Sequence, residues 1–200
     1  MGRSNEREPT MEPLAIVIVV ALVVVAAFMG VAMYNGLVRW RLRVDEAWAQ
    51  IDVRLKRRHD LVPNLVNAVK GYMGFEQSVL ERVTQARARA VAAGGQELAP
   101  RATAENQLTQ TLRSLFAVVE NYPDLKASQN VLKLQAQLTT TEDQLGAARD
   151  DYNAAVRAYN TAIATLPAAL MAGRMGFSKR EFFAAEPEAE LVPAVEIGPM

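Results

Sequence analysis

Apolar residues fall into two kinds of pattern along this chain. From Leu14 to Met33 they are unbroken: LAIVIVVALVVVAAFMGVAM carries no charged or strongly polar side chain. Beyond that run they recur alternately every three and four positions. The unbroken run has no polar side to turn toward water. As a helix its length comes to roughly 30 Å, the thickness of a bilayer's hydrocarbon core. Backbone polar groups in lipid must be paired within the segment, so the run is expected to be a membrane-spanning helix over residues 14–33. A core helix of a soluble protein is the bland alternative, disfavoured because no side of the run is polar. A cleaved signal peptide is the better rival, since Gly30-Val31-Ala32 loosely fits a small-x-small cleavage site. Signal cores, however, run about 7–15 residues behind a basic leader. This run is longer, and Arg3 and Arg7 are diluted by Glu6, Glu8 and Glu12. An uncleaved anchor is therefore the reading adopted. Residues 1–13 are polar, contain Pro9 and Pro13, and are expected to form a short disordered tail.

After the anchor the helix is expected to continue. Leu37, Arg41, Val44, Trp48, Ile51, Leu55, Arg58, Val62, Leu65, Val69 and Tyr72 follow the three-four spacing, the mark of a helix with a narrow buried seam. Arg41 and Arg58 interrupt it, either snorkelling outward or pairing with a carboxylate of a facing helix. Pro63 lies inside the pattern, lacks an N–H and clashes with the preceding turn, so a kink is predicted near His59–Val62. The apolar phase is unchanged across it, so a bend is expected and not two helices. The helix should run on past Gly71 and Gly74, with Phe75, Val79, Val83 and Ala86 inward, to stop at Gly94-Gly95. A second helix is expected from about Thr103, with Leu108, Leu112, Leu115 and Val119 inward, ending at Pro123. Asp124 is a candidate N-cap for a third. Its coiled-coil seam reads Val131, Leu134, Leu138, Thr141, Leu145, Ala148, Tyr152, Ala155, Tyr159, Ala162 and Leu166, and Pro167 closes it. No segment longer than four residues alternates as a strand would. The expected fold class is therefore all-α: one N-terminal transmembrane helix and an elongated antiparallel bundle of three long helices over 34–183, the first kinked at Pro63. The aromatic and basic Met175–Phe183 segment should tuck against the bundle or the membrane surface. The acidic, proline-punctuated residues 184–200 are expected to be disordered.

Composition narrows the function classes. Lys+Arg and Asp+Glu both number 22, so no basic excess marks a nucleic-acid surface. No cysteine is present, which excludes disulfides, thiol catalysis and thiolate metal sites. His59 is the one histidine. A metal site needs about three or four protein ligands, and His59 beside Asp60 does not supply them. Ser78, Ser114 and Ser128 have no histidine within local reach, and no nucleophile elbow or phosphate-cradling glycine loop occurs. No catalytic, cofactor-binding or metal-binding residue is predicted, no cofactor is implied, and the chain is read as not an enzyme. Two polar patterns stand out instead. Tyr152-Asn153 and Tyr159-Asn160 repeat by seven, setting both tyrosines on the seam with an asparagine beside each; they are expected to specify how the helices pair, the alternative being a groove for a partner. Gln135, Glu142 and Arg149 also repeat by seven, a solvated or inter-helix ion-pair face. Asn64 and Asn67 are candidates to satisfy backbone groups freed at Pro63.

Three stretches resemble signature blocks of the LemA family: YNGLVRWRLRVDEAWAQIDVRLKRRHDLVPNLVNAVKGYMGFE from Tyr34 to Glu76, ENYPDLKASQN from Glu120 to Asn130, and ARDDYNAAVRAYNTAIATLP from Ala147 to Pro167. The family's Phe-Gly-Phe near the end of the third helix reads Arg174-Met175-Gly176-Phe177 here. The resemblance implies a bacterial membrane protein with one spanning helix, a short outside N-terminus and an elongated helical domain. It carries no accepted catalytic residues, and members often neighbour genes for membrane heat-shock zinc peptidases. The expected function is a non-enzymatic scaffold or adaptor in the cell membrane, acting by self-association or by association with membrane proteins such as those peptidases. The alternative is a membrane-organising, lipid-surface-binding protein using Arg39, Arg41 and Arg43. Expected partners are the lipid bilayer and either further copies or a membrane complex, with no nucleic acid. Those arginines close behind the anchor, against Arg3, Arg7 and the amine on the short N-terminal side, give a small positive-inside margin, and with the outside N-terminus that the resemblance implies the helical domain is expected to be cytoplasmic.

Overall fold

The structure is a computed structural model that describes residues 12–72 and 77–183. Among them every regular element is helical. Helix α1 spans Glu12–Lys70, α2 Gln77–Ala92, α3 Leu98–Val119, α4 Pro123–Ala127 and α5 Gln129–Ala164. The all-α class expected from the three-four spacing is what the chain adopts.

Helix α1 has 59 residues, about 90 Å of rise, and runs without interruption from the apolar segment into the bundle. It starts two residues before the expected Leu14, so Pro13 sits in its first turn. An N–H has no helical partner there in any case, and proline is tolerated. The apolar segment is long and apolar enough to cross a membrane and is not buried against the described residues. A core-helix role for it thus finds no partner among the described residues.

The seam of α1 folds inward as its spacing dictates. Leu37, Val44, Ile51, Leu55, Arg58, Val62, Leu65 and Val69 are buried, and Arg41 and Trp48 are half-buried. Burying one such Leu, Ile or Val contributes about 1.5–3 kcal/mol. Pro63 lies within α1 with Val62 and Leu65 buried on either side, so the apolar phase holds across it.

One long element divides where continuity was expected. Helix α1 stops at Lys70, a turn closes from the Tyr72 N–H to the Val69 carbonyl (3.0 Å), and α2 begins at Gln77. Tyr72 is consequently exposed. Phe75 and Gly74 lie outside the described residues. The reversal returns Val79, Val83, Ala86 and Ala90 to one core with Val62, Leu65 and Val69, where a straight extension would leave them wet. The next helix begins at Leu98, five residues before the expected Thr103, with Pro100 in its first turn. The third expected helix is likewise two: Ser128, in extended conformation, separates α4 from the 36 residues of α5. Asp124 follows Pro123 inside the first turn of α4 and is not its cap.

Contacts fix the directions. Trp48 faces Tyr152 and Arg58 meets Glu142, so α1 and α5 run antiparallel. Arg87 of α2 reaches His59, and α3 returns alongside α1, bringing Arg101 to Asp52 and Glu105 to Arg58. The end far from the apolar run is thus an up-down-up-down bundle of α1, α2, α3 and α5 around one core from Val62 to Leu138. Toward the apolar run, a second core holds Leu37–Leu55 of α1 against Leu145–Ile163 of α5, with Ala102, Phe177 and Phe183.

Candidate functional site

Between the two cores lies a buried charged layer. Arg58 occupies a seam position, so helical geometry drives it inward; its residue is 0% exposed. It donates to Glu105, which is also 0% exposed, to Glu142 Oε1 at 2.6 Å and to Thr109 Oγ1 at 2.8 Å. One guanidinium therefore ties α1, α3 and α5. Of the two expectations for Arg58, pairing holds and snorkelling does not. Glu142 joins this inter-helix pairing, one of the outcomes expected for its stripe, and Gln135 on the same stripe is half-buried.

His59 Nε2 lies 3.1 Å from one carboxylate oxygen of Glu105 and 3.3 Å from the other. Burial by itself pushes the Glu105 carboxyl up. The His59 hydrogen bond and the Arg58 and His59 charges outweigh that push and hold it below the usual glutamate value.

Pro63 donates nothing to the carbonyl four residues back, that of His59. Arg87 Nε of α2 donates to it at 2.7 Å. The expectation for Asn64 and Asn67 needs correction. Asn64 Nδ2 lies 3.4 Å from the Asp60 carbonyl, while Asn67 is exposed beside Lys70 and Leu80. A guanidinium reaches from a facing helix, whereas the two amides lie beyond the freed carbonyl.

The paired Tyr-Asn dipeptides organise a different contact. After α5 the chain turns at Ala168–Leu170, then runs back along the bundle as a strap through Phe183. Asn153 donates to the Phe183 carbonyl (3.2 Å) and accepts from the Phe183 N–H (2.8 Å). Asn160 does the same for Arg180, at 2.9 Å both ways. Seven helical residues rise about 10.5 Å, and three extended residues span about 10 Å, so the heptad matches the strap's spacing. Tyr152 donates its hydroxyl to the Glu181 carbonyl at 3.0 Å. Burial and then the neighbouring carboxylates raise its hydroxyl above the usual tyrosine value, against the Arg180 charge. The asparagines thus hold the strap, where helix pairing was expected of them; Tyr159 is buried in the helix–helix core as expected.

Aromatic packing seals the strap. The Trp48 ring lies 5.3 Å from that of Tyr152 and 6.2 Å from that of Phe183. Arg101 stacks on Trp48 at 4.8 Å and Arg149 on Phe183 at 4.6 Å. Arg180 pairs with Asp45 at 3.1 Å. Phe177 meets Tyr34 edge-on at 5.6 Å, with Arg41 over its ring at 5.5 Å. Gly176 takes φ +78°, which admits glycine freely, and the Phe177 N–H then closes on the Ala172 carbonyl at 2.9 Å. Met175 packs against the same core.

On α5 the predicted seam shifts after Tyr152: Val156 and Ile163 are buried where Ala155 and Ala162 were expected, and Leu166 is exposed. The larger apolar side chains take the core, and the strap covers a neighbouring face. Glu105 and Arg101 were missed. Their signal was present, because stepping back three and then four from Leu108 lands on both. The candidate nucleophiles are not assembled: Ser114 Oγ donates to the Gln110 carbonyl at 3.0 Å, and His59 is engaged by Glu105. Among the described residues no group of three or more His, Asp or Glu is arranged to hold a metal.

Comparison with known proteins adds two findings. The profile described as the LemA family matches residues 47–197. Protein LemA of Metamycoplasma hominis is 27% identical over 110 residues, 55% of this chain and 50% of that protein. The chain thus spans about half the length of that curated relative.

Proposed function

The chain belongs to the LemA family, and from that premise we propose that it is a non-enzymatic, single-pass membrane protein whose cytoplasmic bundle acts as a scaffold or adaptor. It assembles with copies of itself or with a membrane protein, a membrane heat-shock zinc peptidase being one candidate class. The observation that carries this reading is the use made of the charged interior. Arg58, Glu105 and His59 are bound to one another between helices, with side chains 0%, 0% and 14% exposed. Such a layer stiffens a rod and sets helix register. A rod continuous with an anchor offers long lateral faces, and confinement to the bilayer raises its effective concentration toward other membrane proteins.

The test uses the full-length protein in native membranes and in mild detergent. Crosslinking followed by native gels and light scattering should give a defined complex of several chains or a reproducible partner. A lone chain in one micelle, with no crosslinked product from native membranes, refutes the scaffold.

A further inference from the structure

We propose that the end of the bundle next to the anchor is a second membrane contact, made by the turn after α5, which enters the headgroup layer of an anionic bilayer. This rests on the anchored reading above.

The register supplies the position. Trp48 opposes Tyr152 and Ile163 shares a core with Leu37, so the end of α5 comes to the level of Tyr34, one residue past the apolar run of α1. Phe177 on the Tyr34 ring and Met175 packed in the same core as Met33 hold the returning chain at that level. Within this turn the apolar residues divide. Ala168 and Ala172 are buried, while Leu166 and Leu170 are 75% and 73% exposed and Met171 is exposed as well. Three large apolar side chains are thus turned off the bundle, beside a helix segment that is itself apolar and uncovered. A surface of this kind, continuous with an anchor, meets lipid first.

Charge gives the second, separate observation. Residues 34–44 and 152–180 contain no Asp or Glu. They contain seven basic residues, of which Arg39, Arg43, Arg157, Arg174, Lys179 and Arg180 are exposed, Arg180 being paired with Asp45. Asp45, Glu46, Asp151 and Glu181 border these stretches on the side away from the anchor, so the positive excess is concentrated in the turns nearest the apolar run. Arg39 and Arg43 lie within about 15 Å of the end of the apolar run by helical rise, and each basic residue near an anionic surface favours binding by about 1 kcal/mol. Apolar tips inside a basic collar match the interface of a bilayer rich in acidic lipid.

The cysteine-free chain allows single spin labels without further change. Full-length L166C, L170C, V23C and L132C would be reconstituted into vesicles of phosphatidylglycerol and phosphatidylcholine. Leu132 is an exposed apolar control in the far bundle. Collision with oxygen and with a water-soluble nickel chelate is then measured. Labels at 166 and 170 should show a several-fold higher oxygen-to-nickel ratio than the label at 132, and should move toward water in pure phosphatidylcholine. Labels at 166 and 170 that match 132, with 23 in lipid, overturn the second contact and leave the anchor standing. A label at 23 in water overturns both. Equal depth in both lipid mixtures overturns the part assigned to the basic collar.

Discussion

At the scale of single residues, the side chains that matter most here are charged or polar groups in positions that spacing alone would give to Leu or Val. Arg58 sits on the seam and Glu105 on its continuation in α3, and each is tolerable inside because the other is there. Removing one member of a buried pair strands the other, at a cost of about 3–5 kcal/mol. Arg58→Leu should therefore lower the melting temperature sharply, and adding Glu105→Gln should recover part of the loss. Acid gives a separate check. The folded Glu105 carboxyl lies below its ordinary value of 4.5, so its ionised form contributes stability that is full above that value. The contribution is lost as pH falls through the depressed folded value. Glu105→Gln should flatten the decline of melting temperature below about pH 4.5; an unchanged acid slope would show that the pairing contributes nothing. Tyr152 and Tyr159 are both buried, and truncating such aromatics to alanine typically costs about 3–5 kcal/mol. Tyr152→Phe removes only the bond to the Glu181 carbonyl, about 1 kcal/mol, and thermal melts separate the two contributions.

At the scale of elements, α1 and the strap each carry a test. Pro63 leaves the His59 carbonyl without its helical donor, and Arg87 supplies one from α2. Pro63→Ala should preserve or raise helix content by circular dichroism, since the apolar phase is already continuous. Arg87→Ala should destabilise the native protein by about 1 kcal/mol and the Pro63→Ala protein by less, because the restored N–H then serves the same carbonyl. Equal losses in both backgrounds would mean that Arg87 acts elsewhere. For the strap, Asn153 and Asn160 hold Phe183 and Arg180 through paired amide bonds. Changing both to alanine should loosen the segment, so that trypsin cuts after Lys179 and Arg180 many times faster, with a lower melting temperature because Phe177 and Phe183 belong to the near core. Cleavage at the native rate would assign the hold to Trp48 and Phe183 alone.

At the scale of the whole molecule, a polar layer separates two unlike halves. The far half is four helices around an apolar core; the near half is α1 and α5 with the first turns of α3, completed by the strap. The proposed scaffold predicts that the domain faces the cytoplasm, from Arg39, Arg41 and Arg43 just behind the anchor. Protease added to intact cells should spare the domain until the membrane is permeabilised. Digestion in intact cells would put the domain on the other side.

Periodicity and composition by themselves determined the class, the long apolar run, the seam of α1 from Leu37 to Val69 and most of the seam of α5. These follow from which side chains can leave water, a property each segment carries locally. Family likeness was legible too, in the blocks around Trp48, Tyr122 and Tyr152. Tertiary structure alone decided the rest. Gly71 became a reversal because only folding back buries Val79 and Val83 with Val69. Arg58 pairs inward because α3 brings Glu105 to it, a meeting of residues far apart in the chain. Asn153 and Asn160 hold a strap because an extended segment rises over three residues as far as a helix does over seven. No local pattern shows which of two distant segments will lie together, since that choice is made by total burial and by the pairing of buried polar groups across the whole chain.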